Sequence, residues 1–352
     1  MKWQVSALLG AAMSDLRGLV DSILVPHTAF EEAQRRIGQC MAYVKGGASE
    51  PVCVALTGES RTGKSRCIEV FQRAHQSQRL ADGLHAPVLS ISVPSRPTVK
   101  ALAELSLFAL GAPDWERGTE SAKTTRLACL MRACGVLVFV ADEFHHFVER
   151  HGQHHVVQHH VADWLKNLVG STKVALVVSG LPSLQAVIDQ NEQLAGRFMS
   201  PVQMPRFDWQ DDAHREEWLA ILGAFTEGIG SKLDLPALDG DELALRMYFA
   251  TGGLIGYLTK TLRQAVWDAE DAGRKSIQLR DLAAAHSKAV WSREHVADLP
   301  KPFDKKWMAC VTPELLSRTK LIGTVAAPVA QRRASPAARG YTQSAASVLA
   351  AR

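Results

Sequence analysis

Cysteine is sparse and unpatterned in this sequence: Cys40, Cys53, Cys67, Cys129, Cys134 and Cys310 form no C-x-x-C pair and keep no regular spacing. That argues against a disulfide framework. Several of the six sit in apolar runs and read as reduced, buried thiols of a cytoplasmic protein. Long apolar runs are missing too. No stretch reaches the roughly 18 residues that a membrane-spanning helix needs, so no membrane partner is expected. The opening Met1-Lys2, followed by Ala7 to Met13, has only the outline of a secretion signal. Its apolar run is short, and Asp15 and Arg17 continue at helical spacing into Leu19 and Val20, so an amphipathic N-terminal helix is expected instead. There are no internal repeats. Charge of one sign is not in excess either: the formal net charge is +4 over 352 residues, which by itself does not mark a nucleic-acid binder.

The charge is unevenly placed. From Lys301 onward the basic residues Lys301, Lys305, Lys306, Arg318, Lys320, Arg332, Arg333, Arg339 and Arg352 face only Asp304 and Glu314, so the chain before them is net acidic. At 47% apolar and 22% charged the composition is that of an ordinary globular protein, and the length suits one large domain with a smaller one.

The chain is organised around Gly58-Glu59-Ser60-Arg61-Thr62-Gly63-Lys64-Ser65, which is G-x-x-x-x-G-K-[ST]. It follows the apolar run Val52, Val54, Leu56 and leads into a helix-like segment, Arg66 to His75, the context that this pattern needs. Its glycines let successive N–H groups turn toward phosphate oxygens, at a helix N-terminus that already favours anions. Gly58 through Arg66 would form this cradle. Lys64 would neutralise the β- and γ-phosphates, and the Ser65 hydroxyl would ligate Mg²⁺.

Strand and helix signals alternate after it. Pro87 to Val93 reads as a strand; Thr98 caps a helix through Leu110, and Ser121 to Cys134 is helical. Gly135 to Ala141 and Lys173 to Ser179 are continuous apolar runs of the kind buried on both faces of a parallel sheet, and Pro201 to Met204 is a last short strand. Strand signals stop after Trp209, and helices follow to Trp291. The expectation is an α/β fold with a parallel P-loop sheet flanked by helices and a second, all-helical domain. The boundaries are a helical extension over 1–50, with Thr28 capping its main helix, a P-loop domain over 51–208, a helical domain over 209–292, and a basic, Pro/Ala-rich flexible tail over 293–352.

Asp142-Glu143 ends the third strand, expected beside the P-loop strand, where Mg²⁺ needs a carboxylate and a second acid can polarise water against the γ-phosphate. Ser179, at the tip of the next strand, would complete the water-positioning site. Arg197 precedes the last strand, at a domain edge from which it could reach a neighbouring subunit's γ-phosphate. No N-K-x-D motif for reading guanine is present.

Thr57 to Ser65, Ala141-Asp-Glu-Phe-His-His146, Val178-Ser-Gly-Leu-Pro182, Leu194-Ala-Gly-Arg-Phe198 and Thr251-Gly-Gly-Leu-Ile-Gly256 follow one another at the spacings of an AAA+ ATPase. More narrowly, over roughly residues 25–292 the chain resembles the TniB/TnsC family of transposition regulators, related to MuB. The resemblance implies an AAA+ sheet with a C-terminal helical lid, ATP and Mg²⁺ as cofactors, and non-sequence-specific binding to double-stranded DNA. It also implies a homo-oligomer, ring or helical filament, that recruits a transposase to a target chosen by a separate target-selection protein and disassembles on hydrolysis. By position, Lys64 and Ser65 serve phosphates and Mg²⁺, Asp142 serves Mg²⁺, Glu143 activates water, Ser179 becomes sensor 1 and Arg197 the arginine finger. The lid helix from Gly256 lacks the usual sensor 2 Arg; Lys260, a turn later, is the available substitute. Family DNA contacts point to Arg96, Lys100 and Arg150, which would touch phosphates.

The dense histidines from His145 to His160 include the i,i+4 pairs His151/His155 and His155/His159, but with no Cys ligand beside them they read as a solvated or DNA-facing helix rather than a metal site. Two other readings stay open. One is a different AAA+ ATPase, an ExeA-like secretion ATPase or a helicase loader. The other is a non-hydrolysing nucleotide-gated scaffold, which would not need Glu143.

Overall fold

The structure, a computed structural model, describes residues 16–47, 49–81, 83–95, 97–147, 155–189, 192–290, 299–304 and 312–324, with backbone alone for 155–159. Arg96, Arg150, His151, Cys310, most of the expected N-terminal helix and the tail after Thr324 lie outside these residues.

In chain order the strands are β1 (Cys53–Thr57), β2 (Gln78–Leu80), β3 (Gly83–His85), β4 (Val88–Ser92), β5 (Val138–Asp142), β6 (Ala175–Gly180) and β7 (Val202–Gln203). The helices are α1 (Leu19–Ser22), α2 (Thr28–Lys45), α3 (Lys64–Ala74), α4 (Val99–Ala109), α5 (Glu120–Ala133), α6 (His155–Thr172), α7 (Leu184–Asp189), α8 (Glu192–Ala195), α9 (Asp212–Gly230), α10 (Asp241–Thr251), α11 (Ile255–Asp271), α12 (Leu279–Ala289) and α13 (Pro313–Thr319).

Five strands form a parallel sheet in the order β4-β5-β6-β1-β7. Every residue of β1 and β6 is buried, which is why both read as unbroken apolar runs rather than alternating ones. The order corrects one expectation: β5, which carries Asp142, is not beside β1, because β6 lies between them. On one face α2 and α3 cover the sheet, packing Phe30, Ile37 and Phe71 against Leu56 of β1. On the other, α4 to α7 pack Leu102, Leu127, Leu165 and Leu184 against Phe139 and Leu176. Lys123 is fully buried between α4 and α5, where its ammonium donates to Glu104 and to the Glu116 carbonyl, so the charge is paired rather than stranded.

Local chemistry sets several helix starts. Thr98 and Thr119 accept from Ala101 N (3.1 Å) and Ala122 N (3.3 Å), and Asp211 accepts from His214 N (3.1 Å), each satisfying an orphan donor of a first turn. Thr28 does not cap as expected. It is the first residue of α2, and its N–H donates instead to Glu217 Oε1 at 3.0 Å. The β2–β3 hairpin was not legible in sequence, since Gln78 and Arg79 are polar and its short strands are largely exposed.

α9 to α12 form the lid around Trp218, Tyr248, Leu258 and Leu262. Both flanks of the chain join this core: Val20 from the N-terminal side, Phe303 and Leu316 from the C-terminal side. The stretch expected to be a flexible tail from 293 therefore contributes packed structure at 299–304 and 312–324. Its Pro/Ala-rich average hides Phe303, Leu316 and Ile322, which are buried. Among the described residues no helix is long and apolar enough to cross a membrane.

Candidate active site

β1 stops at Thr57 and α3 starts at Lys64, so the loop between them hangs at the C-terminal edge of the sheet, the edge where open α/β sheets bind ligands. Its turn uses left-handed backbone at Arg61 (φ 72°) and Gly63 (φ 96°). Lys64 is buried, and its ammonium is held inside the loop by the carbonyls of Gly58 (2.9 Å) and Glu59 (2.7 Å). Burial pushes its pKa down, while Glu143, Asp142 and Glu59 pull the other way. A cation so held is a ready partner for phosphate oxygens.

The strand order separates β1 from β5, yet the side chains meet across β6. Ser65 Oγ donates to Asp142 Oδ2 at 2.7 Å, and Asp142 Oδ1 accepts from Glu143 N at 2.8 Å. Both carboxylate oxygens are thus oriented. Glu143 has a left-handed backbone (φ 58°), and its carboxylate lies 3.4 Å from His145 Nε2. Burial lowers the His145 pKa, and Glu143 opposes that shift. His146 is fixed through Nδ1 on Val93 O at 2.8 Å. Thus two histidines of the cluster converge on Glu143, each with one ligand-type atom within 4.8 Å of the others. Of the rest, His160 Nε2 meets Glu120 Oε1 at 3.1 Å.

Ser179 faces Leu56 across the β6–β1 ladder, fully buried, and its hydroxyl has no hydrogen-bond partner among the described residues. A buried hydroxyl without a partner is costly, so this one calls for a ligand or a water. Arg197 is elsewhere. Its carbonyl accepts from Cys53 N at the start of β1 (2.8 Å), and its Nη1 donates to Lys166 O at 3.0 Å. That is a strand length, about 16 Å, from the loop that follows the end of β1. Arg197 is therefore remote from the 58–65 loop of its own chain. Lys100 is exposed at the start of α4, on the same sheet edge as the loop.

The lid reaches the loop directly. Gly256 N donates to Arg61 O at 2.9 Å, and the Arg61 guanidinium lies 4.6 Å from the centre of the Tyr257 ring. Lys260 of the lid lines a cleft together with Arg61 of the loop, and burial, then Arg61 and Arg263, push its pKa down. That cleft measures about 1030 Å³, with Tyr257, His286 and Pro302 also among its walls. Sequence reasoning missed Arg206. It binds Glu59 through Nε (3.0 Å) and Nη2 (2.6 Å), and no local pattern announced it.

These residues fit a Mg²⁺–nucleotide: a caged ammonium, a hydroxyl already paired with a carboxylate, and an orphaned hydroxyl next to the loop strand. The family described as "Bacterial TniB protein" matches residues 17–209. None of the curated proteins matches the sequence. Among solved structures, the chain is similar to Cdc6p from Pyrobaculum aerophilum, at 12% identity over 82% of this chain and 72% of that one, TM-score 0.57. It is also similar to the Aeropyrum pernix ORC2 protein (14%, 79% and 73%, TM-score 0.55) and to the Aeropyrum pernix ORC1 protein in complex with DNA (18%, 80% and 70%, TM-score 0.53). At these identities the likeness is one of fold, and the fold is that of AAA+ ATPases.

Proposed function

The chain belongs to the TniB family, and on that premise we propose that it is an ATP-dependent regulator of DNA transposition that assembles on duplex DNA and recruits the transposase. The observation that carries the reading is the contact of Ser65 with Asp142 beside the buried Lys64, in a chain of this family. Lys64 would hold the β- and γ-phosphates, Ser65 and Asp142 the Mg²⁺, and the N–H groups of the loop the remaining phosphate oxygens. The metal would neutralise charge developing on the phosphates. Glu143, at the strand tip next to Asp142, would orient and deprotonate the attacking water. It must first leave His145. Ser179 would supply a hydroxyl to the same region, and Lys260 would stand in for the absent lid arginine.

Arg197, remote from its own loop, would act on the nucleotide of an adjacent subunit, which makes hydrolysis dependent on assembly. Hydrolysis would then release the oligomer from DNA. Lys100, with Arg96 and Arg150, would contact phosphates without reading sequence. The Aeropyrum pernix ORC1 protein, similar in fold, is in complex with DNA, which is consistent with DNA binding here.

The test is binding to a random-sequence duplex with ATP, with ADP and with neither, across a salt series. The expected result is binding that needs ATP, weakens steeply with salt and is lost in Lys64→Ala. Indifference to DNA in every nucleotide state would sink the reading and leave an AAA+ ATPase with some other substrate.

A further inference from the structure

Arg206 lies just past β7, and its side chain is only 8% exposed. It joins three segments that are far apart in sequence. Its Nε and Nη2 fork onto the Glu59 carboxylate at 3.0 and 2.6 Å. Nη1 donates to Gly252 O at 2.6 Å, and Nη2 donates also to Ile322 O at 2.9 Å. Each partner matters to a different part of the molecule. Glu59 is the second residue of the phosphate loop, and its carbonyl accepts from Lys64 Nζ at 2.7 Å. Gly252 ends α10, where the lid turns toward α11 and toward Gly256 on Arg61. Ile322 follows α13 and packs with Leu254 and Tyr257 of the lid. Lys320, two residues earlier, donates to Asp208 Oδ2 at 2.7 Å.

One almost fully buried guanidinium therefore satisfies a carboxylate of the loop, the carbonyl that closes α10 and the end of the C-terminal segment at once. The fork is directional, and a lysine cannot reproduce it.

We propose that Arg206 is a positioning residue that couples nucleotide binding at the phosphate loop to docking of residues 312–324 on the lid. This rests on the reading of that loop as a nucleotide site. A ligand that holds the loop in the arrangement the fork needs also favours the docked segment, and by linkage docking raises affinity for the ligand. The basic run containing Arg332, Arg333, Arg339 and Arg352 follows that segment directly in sequence, so its anchor point would respond to the nucleotide.

Hydrogen exchange on the full chain tests this, read by mass spectrometry over 312–324 with and without saturating Mg²⁺ and a slowly hydrolysed ATP analogue. Nucleotide occupancy is measured on the same samples by fluorescence. In the wild type, nucleotide should slow exchange of 312–324 at least fivefold. Arg206→Gln, which removes the fork and leaves every residue of the loop unchanged, should still bind nucleotide with the change reduced below twofold. Arg206→Lys, which keeps the charge but not the fork, should behave the same way. A merely structural Arg206 would speed exchange equally in both states and leave the wild-type ratio intact, and that result overturns the coupling. So does a wild type that binds nucleotide with no change at 312–324, while the nucleotide reading survives. A wild type that binds no nucleotide overturns both.

Discussion

Replacing Gly256 by alanine should separate the lid from the phosphate loop. Gly256 N donates to Arg61 O at 2.9 Å, and a β-carbon added there would stand 2.7 Å from Arg61 Cβ, 3.0 Å from its O and 3.1 Å from its Cα. None of these is the far end of a flexible side chain, so no rotamer relieves the clash. The start of α11 must retreat. Overpacking of this kind costs about 1–3 kcal/mol, and the lost hydrogen bond about 1 kcal/mol more. Alanine returns at most about 1 kcal/mol through lower backbone entropy in the unfolded chain. The net expectation is a destabilisation of about 1–3 kcal/mol, and where it falls on the lid-on-loop arrangement it weakens nucleotide binding roughly 5- to 150-fold. Gly38→Ala is the control. It lies in α2 with nothing within 4 Å of the added carbon, so it should stabilise by about 0.5–1 kcal/mol. Urea unfolding of the full chain with a parallel fluorescent-nucleotide titration measures both. If Gly256→Ala unfolds at the wild-type urea concentration and binds nucleotide with wild-type affinity, the contact does not hold the lid.

Glu143→Gln should bind ATP yet hydrolyse it about 10²- to 10⁴-fold more slowly and persist on DNA; unchanged turnover removes Glu143 from catalysis. Arg197→Ala should cut hydrolysis only at concentrations where subunits assemble, so a loss independent of concentration contradicts a role in trans. Brief alkylation of the native protein should mark exposed Cys129 well before the buried thiols, since burial raises Cys53 to about 12 and Cys67 to about 11 and also lifts Cys40 and Cys134. Peptide mapping that finds Cys53 or Cys67 modified as fast as Cys129 refutes that order. Burial also lowers the pKa of His27 and His286 from 6.5. Below about pH 6.5 the unfolded chain takes up these protons and the folded chain resists, so their contribution to stability is complete above that pH and is lost as pH falls. Melting temperature should therefore drop between pH 7.5 and 5.5, and a flat or rising profile contradicts the assignment.

The turn at 58–65 and its inward-held Lys64 were legible in the sequence because their chemistry is local. Two glycines, a lysine and a hydroxyl at fixed spacing dictate a turn and a charge wherever the strand before it lies. Asp142-Glu143 was legible for the same reason, as an acid pair ending an apolar run of strand length. The alternation of such runs with helical stretches likewise determined a parallel sheet and a lid without strands. Other features needed the fold. That β6 lies between β1 and β5, that Ser65 nonetheless meets Asp142, and that Arg197 sits at the far end of β1 depend on strand order, which no local pattern encodes. Arg206 carries no motif, and its partners come from positions 59, 252 and 322. The packing of Phe303, Leu316 and Ile322 on the lid was hidden by the Pro/Ala-rich composition around them, because burial is decided by which surface a side chain meets and not by the average of its neighbours in sequence. The sequence by itself determined the chemical groups and the turn that presents the phosphate loop; only the tertiary structure decided which of them come together, because those contacts join residues whose distance in the chain places no limit on their distance in space.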